Sequence, residues 1–240
     1  MSEARGHILV VGASSGVGRA VAERFAPTAQ VTAVARRADR LAELAAAGVA
    51  TVAADVADLA GIGGLIQGIV AERGLLTGLI YCAGLQVIKP MRALAVDEVE
   101  RLYRVNLVAP TVFASAFASA RVSTRDGVFC AVSSVAAQRP EPAIVPYAAS
   151  KAGLDALIKG LARELAPRRA VGVAPGWLDT EMTQAQGRVY TAEFREALEK
   201  RSPAGIATVE SVVDAITFLL SPQARHVTGE ILRVDGGATL

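Results

Sequence analysis

The chain has 240 residues, 52% of them hydrophobic, and a formal net charge of +2. This length and composition allow a large buried core without disulfides, and the scattered arginines give no reason to expect nucleic acid or an acidic membrane surface as a partner. The amino terminus lacks the long apolar run of a signal peptide, and no window reaches the roughly 18 apolar residues of a membrane span, so we expect a cytoplasmic protein without membrane contact.

Short apolar runs alternate with helical patterns along the whole chain. The apolar runs are unbroken, which is typical of strands in a parallel sheet that is covered on both faces. The predicted strands are 7–12, 30–35, 49–55, 76–84, 127–134, 170–176 and 230–237. The predicted helices are 17–26, 38–47, 58–73, 97–121, 146–166 and 208–221. Strand and helix in strict succession predict an α/β protein, a doubly wound Rossmann fold with a seven-stranded parallel sheet and helices on both faces.

A polar segment follows Pro175-Gly176 and interrupts this alternation. It is longer than an ordinary connection between a strand and a helix, and within it only Glu193–Lys200 has the pattern of a helix. Long inserts in compact domains are often lids or binding loops, and the alternative is a solvated surface excursion. We therefore expect one domain, 1–240, with a substrate lid at about 178–206.

Three glycines lie between the first predicted strand and the first predicted helix. Gly12 could make the tight turn, Gly16 would let a pyrophosphate approach the backbone, and Gly18 would let the helix pack closely on the sheet. The spacing differs from the commoner G-x-G-x-x-G, and a plain tight turn is the alternative. The residues expected to bind a cofactor here are Gly12, Ser14, Ser15, Gly16, Val17 and Gly18.

The second predicted strand ends in Ala35-Arg36-Arg37. In a dinucleotide-binding fold, an acidic residue near this position binds the ribose 2′-hydroxyl of NAD, whereas an arginine accommodates the 2′-phosphate of NADP. A guanidinium group can pair with a phosphate through two hydrogen bonds. The sequence therefore favours NADP(H) over NAD(H), with Arg36 and Arg37 at the 2′-phosphate; the alternative is that both are solvated at the end of the strand.

Tyr147 and Lys151 begin the predicted helix 146–166 and are four residues apart, so they lie on one face of it. An ammonium beside a phenol favours the ionised phenol, which lowers the pKa of the tyrosine from near 10 towards neutrality. The pair alone is equally compatible with an ordinary surface contact.

Taken together, these motifs resemble the classical short-chain dehydrogenase/reductase family over nearly the whole length. The matching elements occur in the family's order: Gly12-x-x-x-Gly16-x-Gly18, Asp55, Ala83-Gly84, Asn106, Ser134, Tyr147-x-x-x-Lys151, Pro175-Gly176, Thr180 and the closing segment 228–237. A single Y-x-x-x-K motif is weak, but the ordered set is specific.

The resemblance implies a catalytic set of Asn106, Ser134, Tyr147 and Lys151. Tyr147 would be the general acid in reduction and the general base in oxidation, with its pKa lowered by Lys151 and by an oxidised nicotinamide. Ser134 would hydrogen-bond the substrate oxygen, and the adjacent Ser133 is the competing candidate. Asn106 would join a proton relay through Lys151 and a water; the alternative is a buried polar residue that the backbone satisfies.

The resemblance also implies contacts along a bound cofactor. Asp55 and Val56 would lie near the adenine, Thr180 near the nicotinamide carboxamide, and Lys151 near the ribose hydroxyls. The remaining implied cofactor contacts are Ala83, Gly84, Tyr147, Pro175 and Gly176.

Two positions depart from the family pattern. Cys82 stands where the family usually has an asparagine directly before Ala83-Gly84, and Val11 replaces a common threonine. The backbone hydrogen bonds of that asparagine must then be made by other groups or by water. Cys82 and Cys130 lie in apolar runs without metal-ligand spacing, which predicts buried thiols in a reducing compartment and no metal site.

We therefore expect an NADP(H)-dependent oxidoreductase that interconverts a ketone and a secondary alcohol, with a 3-oxoacyl carrier-protein reductase as the nearest type. The alternatives are an NAD(P)-dependent dehydrogenase of a cyclic or sugar-like alcohol and, against the intact catalytic set, a nucleotide-binding protein without activity. Arg125, Arg168 and Arg169 could contact an acidic carrier protein, or be ordinary solvated arginines. The family's use of its two long helices, 97–121 and 146–166, predicts a homotetramer or homodimer.

Overall fold

The computed structural model describes residues 6–186 and 190–240. Within them, seven strands pair in parallel in the order β3-β2-β1-β4-β5-β6-β7, which confirms the predicted doubly wound α/β fold. The strands are β1 His7–Val11, β2 Gln30–Ala35, β3 Ala50–Ala53, β4 Leu76–Tyr81, β5 Ser123–Val132, β6 Arg169–Pro175 and β7 Ile231–Val234. The helices are α1 Gly16–Phe25, α2 Ala38–Ala46, α3 Ile62–Arg73, α4 Val96–Tyr103, α5 Ala109–Phe117, α6 Val145–Glu164, α7 Glu181–Gln184, α8 Ala192–Lys200 and α9 Val209–Leu220.

Strand β1 shows why the apolar runs are unbroken. All of its residues are buried. Leu9 and Val11 pack into a core formed with α3, α5 and α6, whereas Ile8 and Val10 pack into a second core formed with α1, α2 and α9. Successive side chains of a strand point to opposite faces, so an apolar residue is needed at every position when helices cover both faces.

A crevice forms where the strand order reverses. The chain runs from β1 to β2 and β3 on one side of the sheet, and β4 later pairs with the other side of β1. Connections that leave in opposite directions open a cleft at the carboxyl ends of these two strands. The Cys82 N–H donates a 2.8 Å hydrogen bond to the Val11 carbonyl oxygen. The backbone itself therefore ties the end of β4 to β1, at the position where the family usually has an asparagine.

The predicted long helix 97–121 is wrong in one respect, because it is interrupted at Asn106. Helices α4 and α5 are joined by a π-helical turn, Arg104–Val108. Pro110 has no N–H to donate to the carbonyl of Asn106, which is its α-helical partner four residues earlier. The helix forms a wider turn instead, in which the Ala109 N–H donates to the carbonyl of Arg104, five residues earlier.

The predicted insert after β6 contains two helices. Helix α7 is a single turn, and α8 coincides closely with the helix expected at Glu193–Lys200. The hydroxyl of Thr191 accepts a 3.3 Å hydrogen bond from the Phe194 N–H, which caps the start of α8. Leu198 is buried one turn later, so α8 turns an apolar stripe towards the protein. Residues 187–189 of the predicted lid lie outside the described residues.

The arginines proposed for a carrier protein lie at the edge of the sheet opposite to the crevice. Arg168 donates hydrogen bonds to the hydroxyl and carbonyl oxygens of Ser123, and Arg169 donates to the carbonyl oxygens of Leu219 and Val227. Both residues lie at the amino-terminal end of β6, and Arg125 lies near the start of β5. The crevice is at the carboxyl ends of the strands, so these arginines do not line it, and their contact with a carrier protein stays a prediction.

The longest of the helices in the described chain is α6, with 20 residues. Neither it nor any other helix in residues 6–186 and 190–240 is long and apolar enough to cross a membrane.

Candidate active site

The crevice is a cavity of about 530 Å³ at the carboxyl ends of the strands. This volume is within the usual range of small-molecule sites. The lining includes every residue that the sequence predicted to contact a cofactor, together with Ser134. Those residues are Gly12, Ser14, Ser15, Gly16, Val17, Gly18, Arg36, Arg37, Asp55, Val56, Ala83, Gly84, Tyr147, Lys151, Pro175, Gly176 and Thr180.

The glycine loop packs too closely for side chains at two positions. Gly12 has φ +89°, and a Cβ there would lie 2.4 Å from the Ala83 nitrogen. A Cβ on Gly18 would lie 2.3 Å from the Gly12 carbonyl oxygen. These contacts bring β1, α1 and the end of β4 together, which agrees with the reasons given for both glycines. Gly16 faces Thr180, whose Cγ2 lies 3.6 Å from the position of a Cβ on Gly16.

The start of α1 is suited to an anion. The helix begins at Gly16, and its N-cap residue Ser15 makes no side-chain hydrogen bond to the described helix backbone. The first turn carries no acidic residue. The N–H groups and positive dipole of a helix start favour phosphate, so this loop fits the pyrophosphate of a dinucleotide.

Arg36 and Arg37 lie at the same end of the cavity and face acidic partners. Arg37 donates to the hydroxyl oxygens of Ser14 at 3.0 Å and Ser15 at 2.8 Å, and to the Glu181 carboxylate at 2.7 Å. Arg36 NH1 lies 4.0 Å from Asp55 Oδ2. Two guanidinium groups therefore flank the glycine loop, at the place predicted for a 2′-phosphate.

Lys151 is buried and is held by the strand beneath it. Its Nζ donates a 2.8 Å hydrogen bond to the Val132 carbonyl oxygen, and lies 5.9 Å from the centre of the Tyr147 ring. Only 4% of Lys151 is exposed, and this burial lowers the pKa of its ammonium group to about 8.

Tyr147 does not show the lowered pKa that we expected. Burial raises the pKa of its phenol to about 12, and the effect of Tyr190 adds to it, whereas a hydrogen bond with the Ser134 hydroxyl lowers it. The ammonium of Lys151 is directed at Val132. The cost of ionising a buried phenol therefore exceeds the help that these side chains give to the phenolate.

The two adjacent serines are separated by their contacts. Ser133 is buried, and its hydroxyl donates a 2.5 Å hydrogen bond to Asp155. Ser134 follows the end of β5 and interacts with Tyr147; its Oγ accepts a 3.1 Å hydrogen bond from the Ala136 N–H. The geometry favours Ser134 over Ser133 as the residue that meets a substrate.

Asn106 lies behind the cavity and does not contribute to its described lining. Its Oδ1 accepts from the Leu85 N–H at 2.8 Å, and its Nδ2 donates to the Leu85 carbonyl at 2.9 Å and to Ser150 Oγ at 3.0 Å. A Cβ on Gly84 would lie 3.6 Å from Asn106 Oδ1 and 3.7 Å from Lys151 Nζ. The Asn106 side chain thus makes the contacts expected of a buried polar residue that the backbone satisfies. It also holds the loop beside Lys151.

Three aromatic rings form one part of the cavity wall. The ring centres of Trp177, Tyr190 and Phe194 lie 5.1–6.2 Å apart. Gln86 Nε2 donates a 3.1 Å hydrogen bond to the Tyr190 hydroxyl. The sequence predicted a lid at about 178–206 but did not single out Phe194, Gln86 or Glu181 as residues of the site. Phe194 could have been found because it lies four residues before Leu198, which places both on one face of a helix. Nothing near Gln86 or Glu181 in the sequence indicates their contacts.

A glycine loop at the switch point of a doubly wound sheet, with a Ser–Tyr–Lys set in the same cavity, defines a dinucleotide-binding protein of the oxidoreductase type. Residues 12–239 match the family described as Enoyl-(Acyl carrier protein) reductase. The 3-oxoacyl-[acyl-carrier-protein] reductase FabG of Salmonella typhimurium is 32% identical over 236 residues, which cover 95% of each chain.

Two further relatives extend the comparison. Gluconate 5-dehydrogenase of Gluconobacter oxydans is 32% identical over 242 residues, covering 97% of this chain and 94% of that one. The structure of a short-chain dehydrogenase/reductase from Serratia marcescens is similar with a TM-score of 0.89 and 31% identity, covering 98% of both chains. The chain therefore belongs to the short-chain dehydrogenase/reductase family of oxidoreductases.

Proposed function

We propose that the protein is an NADP(H)-dependent ketoreductase that interconverts a ketone and a secondary alcohol. One observation carries the proposal: Ser134, Tyr147 and Lys151 line the same cavity as the glycine loop and the two arginines. When bound, a nicotinamide cofactor supplies or accepts the hydride, and the chain supplies position and a proton.

Tyr147 is the proposed general acid and base. Its phenol donates a proton to the carbonyl oxygen in reduction and takes it back in oxidation. Ser134 Oγ donates a hydrogen bond to the same oxygen, on which negative charge develops. With a pKa raised to about 12, the phenol is protonated at neutral pH, which is the form that reduction requires.

Lys151 and Asn106 have supporting roles in this proposal. The Nζ of Lys151 binds the ribose hydroxyls and assists ionisation of Tyr147. Asn106 fixes Leu85 and thereby the backbone of Gly84 beside Nζ. A relay of protons through Lys151 and a water remains a prediction, because the described contacts of the Asn106 side chain are with Leu85 and Ser150.

The preference for NADP(H) over NAD(H) is supported by charge. Ala35 ends β2 without a carboxylate for a 2′-hydroxyl, while Arg36 and Arg37 line the cavity beside it. Asp55 and Val56 are proposed to contact the adenine. At the opposite end, Ala83, Gly84, Pro175, Gly176 and Thr180 are proposed to contact the nicotinamide half.

The substrate is proposed to be a ketone with apolar bulk, because three aromatic rings form one wall. A carrier-protein thioester is one such class, in line with the name of the Salmonella relative. A sugar-like alcohol is the second candidate, since Gln86 and the Tyr190 hydroxyl offer polar contacts on the same wall. Helices α7 and α8 are proposed to act as a lid over this substrate.

A homotetramer or homodimer is proposed through the helices α4, α5 and α6. Large apolar side chains are exposed on or beside these helices, at Val96, Val108 and Val145. Exposed apolar groups on neighbouring helices are typical of surfaces that pair with a second copy.

The test is turnover of a ketone panel with NADPH and with NADH, followed by the absorbance of the reduced nicotinamide. The panel contains 3-oxoacyl thioesters, cyclic ketones and keto sugars, and Tyr147→Phe is run in parallel. We expect activity with NADPH that this substitution abolishes. A clear preference for NADH would overturn the cofactor assignment, and undiminished turnover by the variant would overturn the mechanism. Binding of NADPH without turnover of the panel or of the matching alcohols would favour the nucleotide-binding alternative.

A further inference from the structure

Glu181 is an acidic residue at the start of α7 that pairs with the arginines of the cofactor end. Its Oε2 lies 2.7 Å from Arg37 NH1, and its Oε1 lies 3.6 Å from Arg40 NH2. The hydrogen bond with Arg37 is the main cause that lowers the pKa of the Glu181 carboxyl group. The carboxylate therefore stays ionised and paired across the physiological range.

The guanidinium of Arg37 is shared between this carboxylate and the glycine loop. Its NH2 and Nε donate to the hydroxyls of Ser14 and Ser15, and its NH1 donates to Glu181. An arginine offers five N–H donors in one plane, and a phosphate needs the free edge of that plane. At Arg37 the edge that does not contact the loop is taken by Glu181.

Helix α7 connects this ion pair with the catalytic end of the cavity. Thr180 lies against Gly16, and Met182 Cε lies 3.9 Å from the position of a Cβ on Gly84. The position of a Cβ on Gly84 is also 3.7 Å from Lys151 Nζ. Glu181 and Met182 are neighbours on one helical turn, so this turn joins the Arg37 pair to a side chain that reaches towards Gly84 and Lys151.

We propose that Glu181 reduces the preference for NADP(H) by competing with its 2′-phosphate for Arg37. A nucleotide with a 2′-phosphate displaces the carboxylate and frees α7 from the glycine loop, whereas a nucleotide with a 2′-hydroxyl leaves the pair intact. Glu181 thus weakens the discrimination that Arg37 would otherwise give. This inference rests on the proposed function for its assignment of Arg37.

The expected effect is modest and depends on salt. The side chains of Arg37 and Glu181 are 42% and 45% exposed. Exposed ion pairs are weak and are screened by ions, so removing the competitor should tighten binding of a 2′-phosphate by about three- to fivefold at low salt and by less at high salt.

The probes are adenosine 2′,5′-bisphosphate and adenosine 5′-monophosphate, which differ only in the 2′-phosphate. Their affinities are measured by calorimetry on the full chain and on Glu181→Gln. The matched control is Glu196→Gln, because Glu196 on α8 pairs with Lys200 at 2.7 Å and carries the same charge away from the arginines. We expect Glu181→Gln alone to tighten the bisphosphate, with less than a twofold change for the monophosphate.

Trp177 gives a second readout, because it is the one tryptophan of the sequence and precedes α7 by four residues. We expect the bisphosphate, but not the monophosphate, to change its fluorescence in the unsubstituted protein. In Glu181→Gln the emission should already be shifted before any nucleotide is added.

Two results would overturn the inference. Unchanged or weakened bisphosphate binding by Glu181→Gln, in a protein that still prefers the bisphosphate to the monophosphate, would overturn the role of Glu181 and leave the NADP(H) assignment standing. No preference for the bisphosphate in any of the three proteins would overturn the assignment of Arg37 and this inference with it.

Discussion

The amino group of Lys151 donates a hydrogen bond to the Val132 carbonyl oxygen at 2.8 Å, so helix α6 is fastened to the end of β5 by its own lysine. The bond directs Nζ to a fixed point beside Gly84, and it places a positive charge where 4% of the residue is exposed. Holding the charge there costs folding free energy, and this cost can be measured from the dependence of stability on pH.

Lys151 should make the protein more stable at alkaline pH. Burial lowers the pKa of Lys151 from 10.5 to about 8. Between these values the unfolded chain binds more protons than the folded one, so the free energy of unfolding rises with pH by up to about 3 kcal/mol from this group. Urea unfolding of the unsubstituted protein and Lys151→Met between pH 7.5 and 10.5 would show the rise in the former only. Lys159→Met, which changes an exposed lysine of the same helix, should keep the rise.

Oxidation of the alcohol should depend on pH more steeply than reduction of the ketone. Oxidation requires the Tyr147 phenolate, and the pKa of the phenol is raised to about 12, so its rate should increase throughout the range from pH 7 to 10. Reduction requires the protonated phenol and should change little until Lys151 loses its charge, which is half complete at about pH 8. Ser134→Ala should lower both rates and move the oxidation profile to higher pH. An oxidation rate that is flat over this range would contradict the assignment.

Alanine should be tolerated poorly at Gly18 and well at Gly68. A Cβ on Gly18 would lie 2.3 Å from the Gly12 carbonyl, whereas a Cβ on Gly68 in α3 would meet no heavy atom of the described chain within 4 Å. We expect Gly18→Ala to lower the free energy of unfolding by about 1–3 kcal/mol and to weaken nucleotide binding. Gly68→Ala should raise it by about 0.5–1 kcal/mol, because alanine favours a helix. Both variants are measured by thermal and urea unfolding. If Gly18→Ala and Gly68→Ala changed the free energy of unfolding equally, the tight packing of the loop would be unimportant.

His7 should make the fold sensitive to mild acid. The Gly74 carbonyl can only accept, so Nδ1 donates to it, and in the neutral ring Nε2 accepts from the Thr32 hydroxyl. Burial lowers the pKa of His7 below its usual 6.5. The unfolded chain therefore binds the extra proton first, and stability is lost as pH falls below about 6.5. Unfolding at pH 5 and 7 should show this loss in the unsubstituted protein and in His226→Asn, but a smaller one in His7→Asn.

The position of the site could be predicted in part because many of its residues come just after a strand. Gly12, Ala83, Ser134 and Gly176 come after four different strands, and the carboxyl ends of parallel strands meet at one edge. Their chemistry is local in sequence, so the motifs were visible before the fold was known.

The rest depended on distance and burial, which leave no local pattern. Arg37 and Glu181 are 144 positions apart, so nothing near either residue indicates the ion pair. The pKa of Tyr147 rises because of the enclosure of its ring, whereas the sequence showed only the nearby lysine. The π-helical turn is different, because Pro110 was present in the sequence and its effect on the Asn106 carbonyl could have been foreseen.

That turn also fixes the length of the chain between α4 and α5. Its consequence is seen at Asn106, which is buried within the turn and bonded to both the N–H and the carbonyl of Leu85. Deleting Arg104 would shift Asn106 relative to Leu85, because each residue of a helix advances about 100° around the axis. The loop beside Lys151 would then lose its support, although Arg104 is not part of the described cavity lining.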